Sequence, residues 1–180
     1  MAIHDVPKFG LLPLTAHDIA DLRSDHAGEA GAVMIYAGIL AISRDPEVRQ
    51  FAREHQETER RHLAFFDAWL PAARRSKLLP VWKSAGWILG AFAALWGKKS
   101  VFRTIAAVET FVDRHYAEQI DSMQARPGLE DLVEVLRRFR DDELHHRDDA
   151  AERANDDRGG LWPRIIGAGS VVGVSIARRI

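Results

Sequence analysis

The chain alternates long stretches of helical periodicity with short breaks rich in proline, glycine and polar residues. Thr15 suits a helix N-cap, and Asp18 three residues on completes a capping box. A first helix is predicted from about residue 16 to 43, with Leu22, Glu29, Ala32, Tyr36 and Ile39 on one face. Asp45-Pro46 reads as N-cap and first residue of a second helix, which runs to about Leu70 and stops at Pro71. In it His55, Glu59, His62, Phe66 and Trp69 follow one another by 4, 3, 4 and 3 residues and make one stripe. The next segment, about 78–97, is almost wholly apolar, interrupted by Pro80 and Lys83 and closed by Gly97-Lys98-Lys99. Ser100 is expected to cap a helix over about 101–125, with Phe102, Ile105, Glu109, Val112 and Tyr116 on its stripe. After the break Arg126-Pro127-Gly128, a helix over about 129–154 places Leu136, Phe139, Glu143, His146 and Ala150 on one face. A polar turn over 155–160 leads to an apolar, small-residue tail at 161–180 carrying Arg164, Arg178 and Arg179. No convincing stretch alternates as a strand would. The fold class is all-α, and the length suits one domain over 1–180.

Charge appears on these stripes where a core-facing helix should have none. Glu29, Glu59, Glu109 and Glu143 all point inward, with His62 and His146. A buried charge is costly unless paired or bound to metal, and four carboxylates would repel one another without a cation. Residues three apart share a helix face, so Glu59 with His62, and Glu143 with His146, can each hold one ion. Glu29 and Glu109 complete the set from neighbouring helices, and the Glu29–Glu59 separation nearly matches that of Glu109–Glu143. A lone Glu-x-x-His is common on solvated helices; two copies, each preceded by an inward Glu, point to two ions in the core of a four-helix bundle. Oxygen-rich ligation with one imidazole per ion suits iron or manganese better than zinc or copper. The absence of cysteine removes disulfides, zinc–thiolate sites, iron–sulfur clusters and thiol nucleophiles.

The net charge of −1 gives no field for nucleic acid, and residues 1–10 show no signal or transit pattern. The chain is expected to act where it is made. The apolar connector, as a helix of roughly 29 Å at about 1.5 Å per residue, would travel the bundle's length between the second and third ligand helices. Its Pro80 and Lys83, and the need for both flanking helices to meet at one site, argue against a membrane span. It is expected to lie in the plane of a membrane, with Trp82, Trp87 and Trp96 at the headgroups and Arg74, Arg75 and Lys77 on phosphates. The tail, with Trp162, would add a second apolar surface. The plain alternative is a buried connector and a homo-oligomer interface. His26, His55 and His115 are expected to support the site without ligating, and His4, His17 and His145 to face solvent. Glu54, Glu57, Asp141 and Asp142 read as surface charge, as do Asp113 and Glu118 with their arginine partners.

These residues closely resemble the demethoxyubiquinone hydroxylases, diiron monooxygenases of ubiquinone biosynthesis. The resemblance runs from Leu22 to the C-terminus. It is carried by Asp25-His26-Ala27-Gly28-Glu29 with Ile35-Tyr36-Ala37-Gly38, Glu59-x-x-His62-Leu63, Leu79-Pro80-x-Trp82 with Gly86 and Gly90, Val108-Glu109 with His115-Tyr116, and Arg140-Asp141-Asp142-Glu143-x-x-His146. It departs at His145, where a carboxylate is expected, and at Asp113-Arg114. It implies a ferritin-like four-helix bundle with additional membrane-associating apolar helices. It implies two iron ions on Glu29, Glu59, His62, Glu109, Glu143 and His146, with Glu59 and Glu143 bridging. It implies hydroxylation of a polyprenyl quinol ring with O2 and NADH, although no Gly-rich dinucleotide fingerprint is present. His115 and Tyr116 are the candidates for hydrogen-bonding oxidant or substrate. The expected location is the cytoplasmic side of the inner membrane, as a peripheral protein. A ferritin- or rubrerythrin-like role in iron storage or peroxide scavenging is the alternative, and the apolar connector and tail argue against it. A non-catalytic quinone carrier would leave four buried carboxylates unexplained.

Overall fold

The computed structural model describes residues 6–155 and 161–180. Among them are six α-helices and no strand: α1 (Ala16–Ile42), α2 (Pro46–Trp69), α3 (Leu79–Leu95), α4 (Lys98–Met123), α5 (Glu130–Ala154) and α6 (Leu161–Ala177). His4, the turn residues 156–160 and the side chains of Trp162 and Arg164 lie outside what is described.

Local chemistry sets most of the boundaries. Thr15 Oγ1 accepts from the Asp18 N–H while Asp18 accepts from that of Thr15, so the capping box at α1 is complete. Asp45 caps α2, accepting from the N–H groups of Glu47 and Val48 ahead of Pro46. One start differs from expectation. α4 begins at Lys98, not after Ser100, because Gly97 at φ 90° takes the N-cap position in a conformation that disfavours residues with a side chain.

The charged stripe residues sit near the middle of α1, α2, α4 and α5, between two apolar clusters. One cluster joins Leu22, Phe65, Phe66, Ile120, Met123, Leu132 and Leu136. The other joins Tyr36, Ile39, Phe51, Phe102, Ile105 and Ala150. Following each helix from cluster to cluster shows that α1 and α5 run one way and α2 and α4 the other. α3 returns the chain from the end of α2 to the start of α4, as expected of the connector.

α3 lies along α1 almost backbone to backbone. A β-carbon at Gly86 would meet the main chain of Gly31, one at Gly90 that of Ile35, and one at Gly38 that of Trp87. α3 buries Gly86, Gly90, Ala91 and Ala93 and leaves Val81, Ile88, Phe92, Leu95 and Trp96 exposed. Trp82, expected among the headgroup-facing residues, is half-buried; its indole N–H donates to Ser76 Oγ at 3.2 Å. α6 carries exposed Ile165, Val171, Val172 and Ile176. No helix among the described residues is long and apolar enough to cross a membrane.

Candidate metal centre

All six predicted ligand residues converge between the two apolar clusters, and all are buried. Glu29, Glu59, His62 and Glu143 each offer one ligand atom within 4.8 Å of the others, and so do Glu59, Glu109, Glu143 and His146. Glu59 and Glu143 belong to both sets. Nδ1 of His62 lies 3.1 Å from Glu143 and 3.6 Å from Glu29. Nδ1 of His146 lies 2.9 Å from Glu59 and 3.3 Å from Glu143.

The donor atoms facing this centre have no hydrogen-bond partner: Glu29 Oε2, Glu59 Oε1, both Glu143 oxygens and Nδ1 of both histidines. Buried polar atoms are nearly always satisfied, so six such atoms gathered in one cluster mark a candidate cation site. Burial, and then the neighbouring carboxylates, push Glu59 and Glu109 well above the usual range. Glu143 goes the other way: burial opposes its charge, but the imidazoles of His146 and His62 close beside it outweigh that and bring the carboxyl down to about 2. For His62, burial is outweighed by Glu29, Asp142 and Glu143, which raise it to about 12. Protons and a bound cation would compete for these same carboxylate and imidazole atoms.

A surrounding layer orients the ligands. His62 Nε2 lies 3.0 Å from Asp142 Oδ2, and its ring stacks on Phe139 at 4.0 Å. The Tyr116 hydroxyl donates to Glu29 at 2.5 Å, and Tyr36 donates to Glu109 at 3.4 Å. His55 packs edge-on against His146 at 4.2 Å and bonds Asp149 at 2.9 Å. Burial, then the charge of His146, pulls His55 down to about 4. Asp142 and Asp149 are corrections to the sequence reading. Asp142 was expected to be surface charge and Asp149 carried no role, yet each partners a buried imidazole. Asp142 is half-exposed, as expected of surface charge, and Asp149 keeps 19% of its side chain in solvent; neither position gave a periodic signal, and a carboxylate one residue before Glu143 was the only hint.

The other histidines fall as expected where described. His26 is buried and bonds Asp67 at 3.0 Å, and His17 and His145 face solvent. His115 does not reach the centre: its Nε2 lies 2.9 Å from Asp25 Oδ1 and 3.2 Å from Ser24 Oγ. Asp113 accepts from Arg140 at 2.7 Å and from Arg147 at 3.2 Å, tying α4 to α5 away from the centre.

A cavity of about 470 Å³ opens onto this cluster. Glu29, Glu59, Glu109 and Glu143 form its floor, and Ser24, Asp25, His115 and Tyr116 a polar edge. Apolar residues of α1, α3, α4 and α6 make the rest of the wall, among them Ile35, Trp82, Leu89, Phe111 and Val174. A carboxylate-rich cation site under an apolar chamber suits redox chemistry on an apolar molecule held out of water.

The model of a family described as "Ubiquinone biosynthesis protein COQ7" matches residues 18–177. The chain is 34% identical over 164 residues to the "NADPH-dependent 3-demethoxyubiquinone 3-hydroxylase, mitochondrial" of Rattus norvegicus, covering 88% of this chain and 76% of that protein. It is 37% identical over 131 residues to the human protein of the same name, covering 71% and 60%. It is 41% identical over 133 residues to the "3-demethoxyubiquinol 3-hydroxylase" of Rhodospirillum rubrum, covering 71% and 60%.

Proposed function

The chain belongs to the COQ7 family of ubiquinone biosynthesis proteins, and on that premise we propose that it hydroxylates the ring of demethoxyubiquinol with O2 at a pair of iron ions. The observation that carries this reading is the pair of overlapping ligand sets, sharing Glu59 and Glu143, at the floor of an apolar cavity. The paired Glu and Glu-x-x-His on α1, α2, α4 and α5 support a ferritin-like bundle. The iron-storage alternative has no support from the relatives, which are named as hydroxylases.

Glu29 and His62 would hold one ion and Glu109 and His146 the other, with Glu59 and Glu143 between them. Bound iron supplies O2 activation. The protein supplies the rest. Asp142 fixes the His62 ring so that Nδ1 faces the centre, and Tyr116 and Tyr36 hold Glu29 and Glu109 in place. The apolar walls keep water from the reacting ring, and His115 with Asp25 stands at the cavity edge to hydrogen-bond a ring hydroxyl. α3 and α6 lie at a membrane surface as a peripheral attachment, on the cytoplasmic face of the inner membrane, and admit the polyprenyl tail from lipid. The reductant is a reduced nicotinamide: the resemblance implies NADH, and the rat and human relatives are named for NADPH.

Iron-loaded protein given a short-tailed demethoxyubiquinone, O2 and either nicotinamide should yield the hydroxylated quinol. Unchanged substrate at full iron occupancy would refute the assignment. Glu143→Ala should lose iron and turnover together, and full iron in that variant would remove Glu143 from the ligand set.

A further inference from the structure

α3 and α6 wall the same cavity but are fastened in opposite ways. α3 is jammed against the α1 backbone at Gly86 and Gly90. α6 has no such seat: a β-carbon at Gly167 or Gly169 would meet nothing within 4 Å, and one at Gly173 only the Trp82 ring at 3.7 Å. Its cavity face presents Ile166, Gly169, Ser170, Gly173, Val174 and Ala177, of which Ile166 and Ala177 are buried, while Val171 and Val172 stand in solvent. Apolar burial, which holds most helices in place, rests here on Ile166 toward the start of the helix and Ala177 at its end.

A polar cluster at the C-terminal end does the fastening. Arg178 Nε lies 2.6 Å from Oδ1 of Asp21, a side chain only 3% exposed on α1. The Arg178 carbonyl, just past the helix end, accepts from Arg23 at 2.9 Å, and Arg23 Nε donates to the carbonyl of Arg74 at 2.9 Å. The Lys77 N–H donates to the Ile180 carbonyl at 3.0 Å. Arg178 also approaches Nδ1 of His115 at 3.5 Å, on the ring whose other nitrogen meets Asp25 at the cavity edge.

We propose that Arg178 is a positioning residue for the hydroxylation: its ion pair with Asp21 fastens α6 as the detachable wall of the substrate cavity and sets His115 at the cavity's polar edge. Without Arg178 the buried Asp21 would keep only the exposed His17, at 3.5 Å, and leaving a buried carboxylate underpaired is costly. The clasp therefore favours the seated position of the C-terminal end of α6, while Ile166 in the core anchors the other end. Release of this end opens the cavity toward the face carrying Val171, Val172 and Ile176, from which an apolar substrate enters. The inference rests on the quinol reading of the cavity.

The test uses iron-loaded, full-length protein and demethoxyubiquinone with a two-isoprene tail. Binding is measured anaerobically, backbone amide exchange is followed helix by helix, and turnover is split into kcat and KM. In Arg178→Ala, exchange over 166–177 should rise at least about tenfold while α2 and α5 keep wild-type protection. KM and Kd should rise about tenfold with kcat within about twofold, a loss of binding alone. Arg178→Lys should recover part of the affinity, and Asp21→Asn should reproduce the pattern without removing the arginine. Wild-type exchange and wild-type KM in both Arg178→Ala and Asp21→Asn would overturn the proposal. So would faster exchange in every helix with loss of iron, since that reports general destabilisation. Failure of the wild-type protein to bind the quinone would instead defeat the quinol reading, and the exchange of α6 would still report on the clasp.

Discussion

Asp142 has half its side chain in solvent (51%), yet it holds the outer nitrogen of the buried His62 ring. A carboxylate behind a metal-bound imidazole fixes its orientation and raises its basicity, and losing one typically costs about 10–100-fold in metal affinity. Asp142→Ala should weaken Fe(II) binding by that order in an anaerobic titration, and Asp142→Asn, which keeps an acceptor oxygen, by less. Stripping metal from the protein should reveal the protons that compete for these groups. Glu59 and Glu109, raised above their unfolded value near 4.5, bind protons more tightly in the fold than out of it. His62, at about 12 against 6.5 unfolded, does the same. Their stabilisation is complete at low pH and is lost as pH rises, from above 4.5 for the carboxyls and from 6.5 toward 12 for His62. Glu143, at about 2, stabilises above 4.5 and adds no slope at neutral pH. The Tm of metal-free protein should therefore fall between pH 6 and 9. Metal loading, which displaces these protons, should release acid into weak buffer and flatten that fall; a flat metal-free profile would show the centre empty of extra protons. The six candidate ligand residues were legible in the sequence as a convergent set because an inward carboxylate at helical spacing has no cheaper explanation. Asp142 and Asp149 were not, because their partners come from another helix and their own positions lie off the stripe.

At the scale of elements, boundaries written by local chemistry were legible: the capping box at Thr15, the Asp45-Pro46 start, the break at Arg126-Pro127-Gly128. The α4 start was not, since Ser100 and Gly97 both offer a cap and only the backbone turn into the helix, at φ 90°, decides between them. Least legible was how α3 meets α1. An apolar run shows that a helix is buried or lipid-facing, but not that Gly86 and Gly90 will meet the carbonyls of Gly31 and Ile35. That contact has a sharp consequence. In Gly90→Ala the new methyl meets a main-chain carbonyl rather than a flexible side-chain end, and overpacking of this kind costs about 1–3 kcal/mol. Gly169→Ala meets open space and removes a helix-interior glycine, so it should be neutral or stabilising by up to about 1 kcal/mol. Thermal unfolding of the two iron-loaded variants should place Gly90→Ala below wild type and Gly169→Ala at or above it. Equal destabilisation would mean that α6 is seated as tightly as α3.

For the whole molecule, the cavity is too small for its proposed substrate. About 470 Å³ accommodates a substituted quinol ring and the first part of a tail, whereas a polyprenyl chain must continue outside the protein. The helices that wall the cavity also carry exposed apolar side chains: Ile88, Leu95 and Trp96 on α3, the last two 69% exposed, and Val171, Val172 and Ile176 on α6. Exposed apolar surface of this kind marks a lipid or protein contact. On the proposed peripheral attachment these faces would meet the membrane surface, where the tail could stay in lipid while the ring reaches the carboxylates. Each large apolar side chain moved from water to the acyl boundary contributes about 1.5–3 kcal/mol. Replacing Ile88, Leu95 and Trp96 together by glutamate therefore removes several kcal/mol and should lower partitioning onto anionic vesicles more than about a hundredfold. The iron content should not change, since none of the three touches the centre. Turnover of a short-tailed, water-dispersed quinone should persist while turnover of a long-tailed quinone presented in vesicles collapses. If vesicle binding survives the triple substitution and a sedimentation-measured dimer dissociates instead, the exposed face belongs to a second copy of the chain, and the tail must reach lipid by another path.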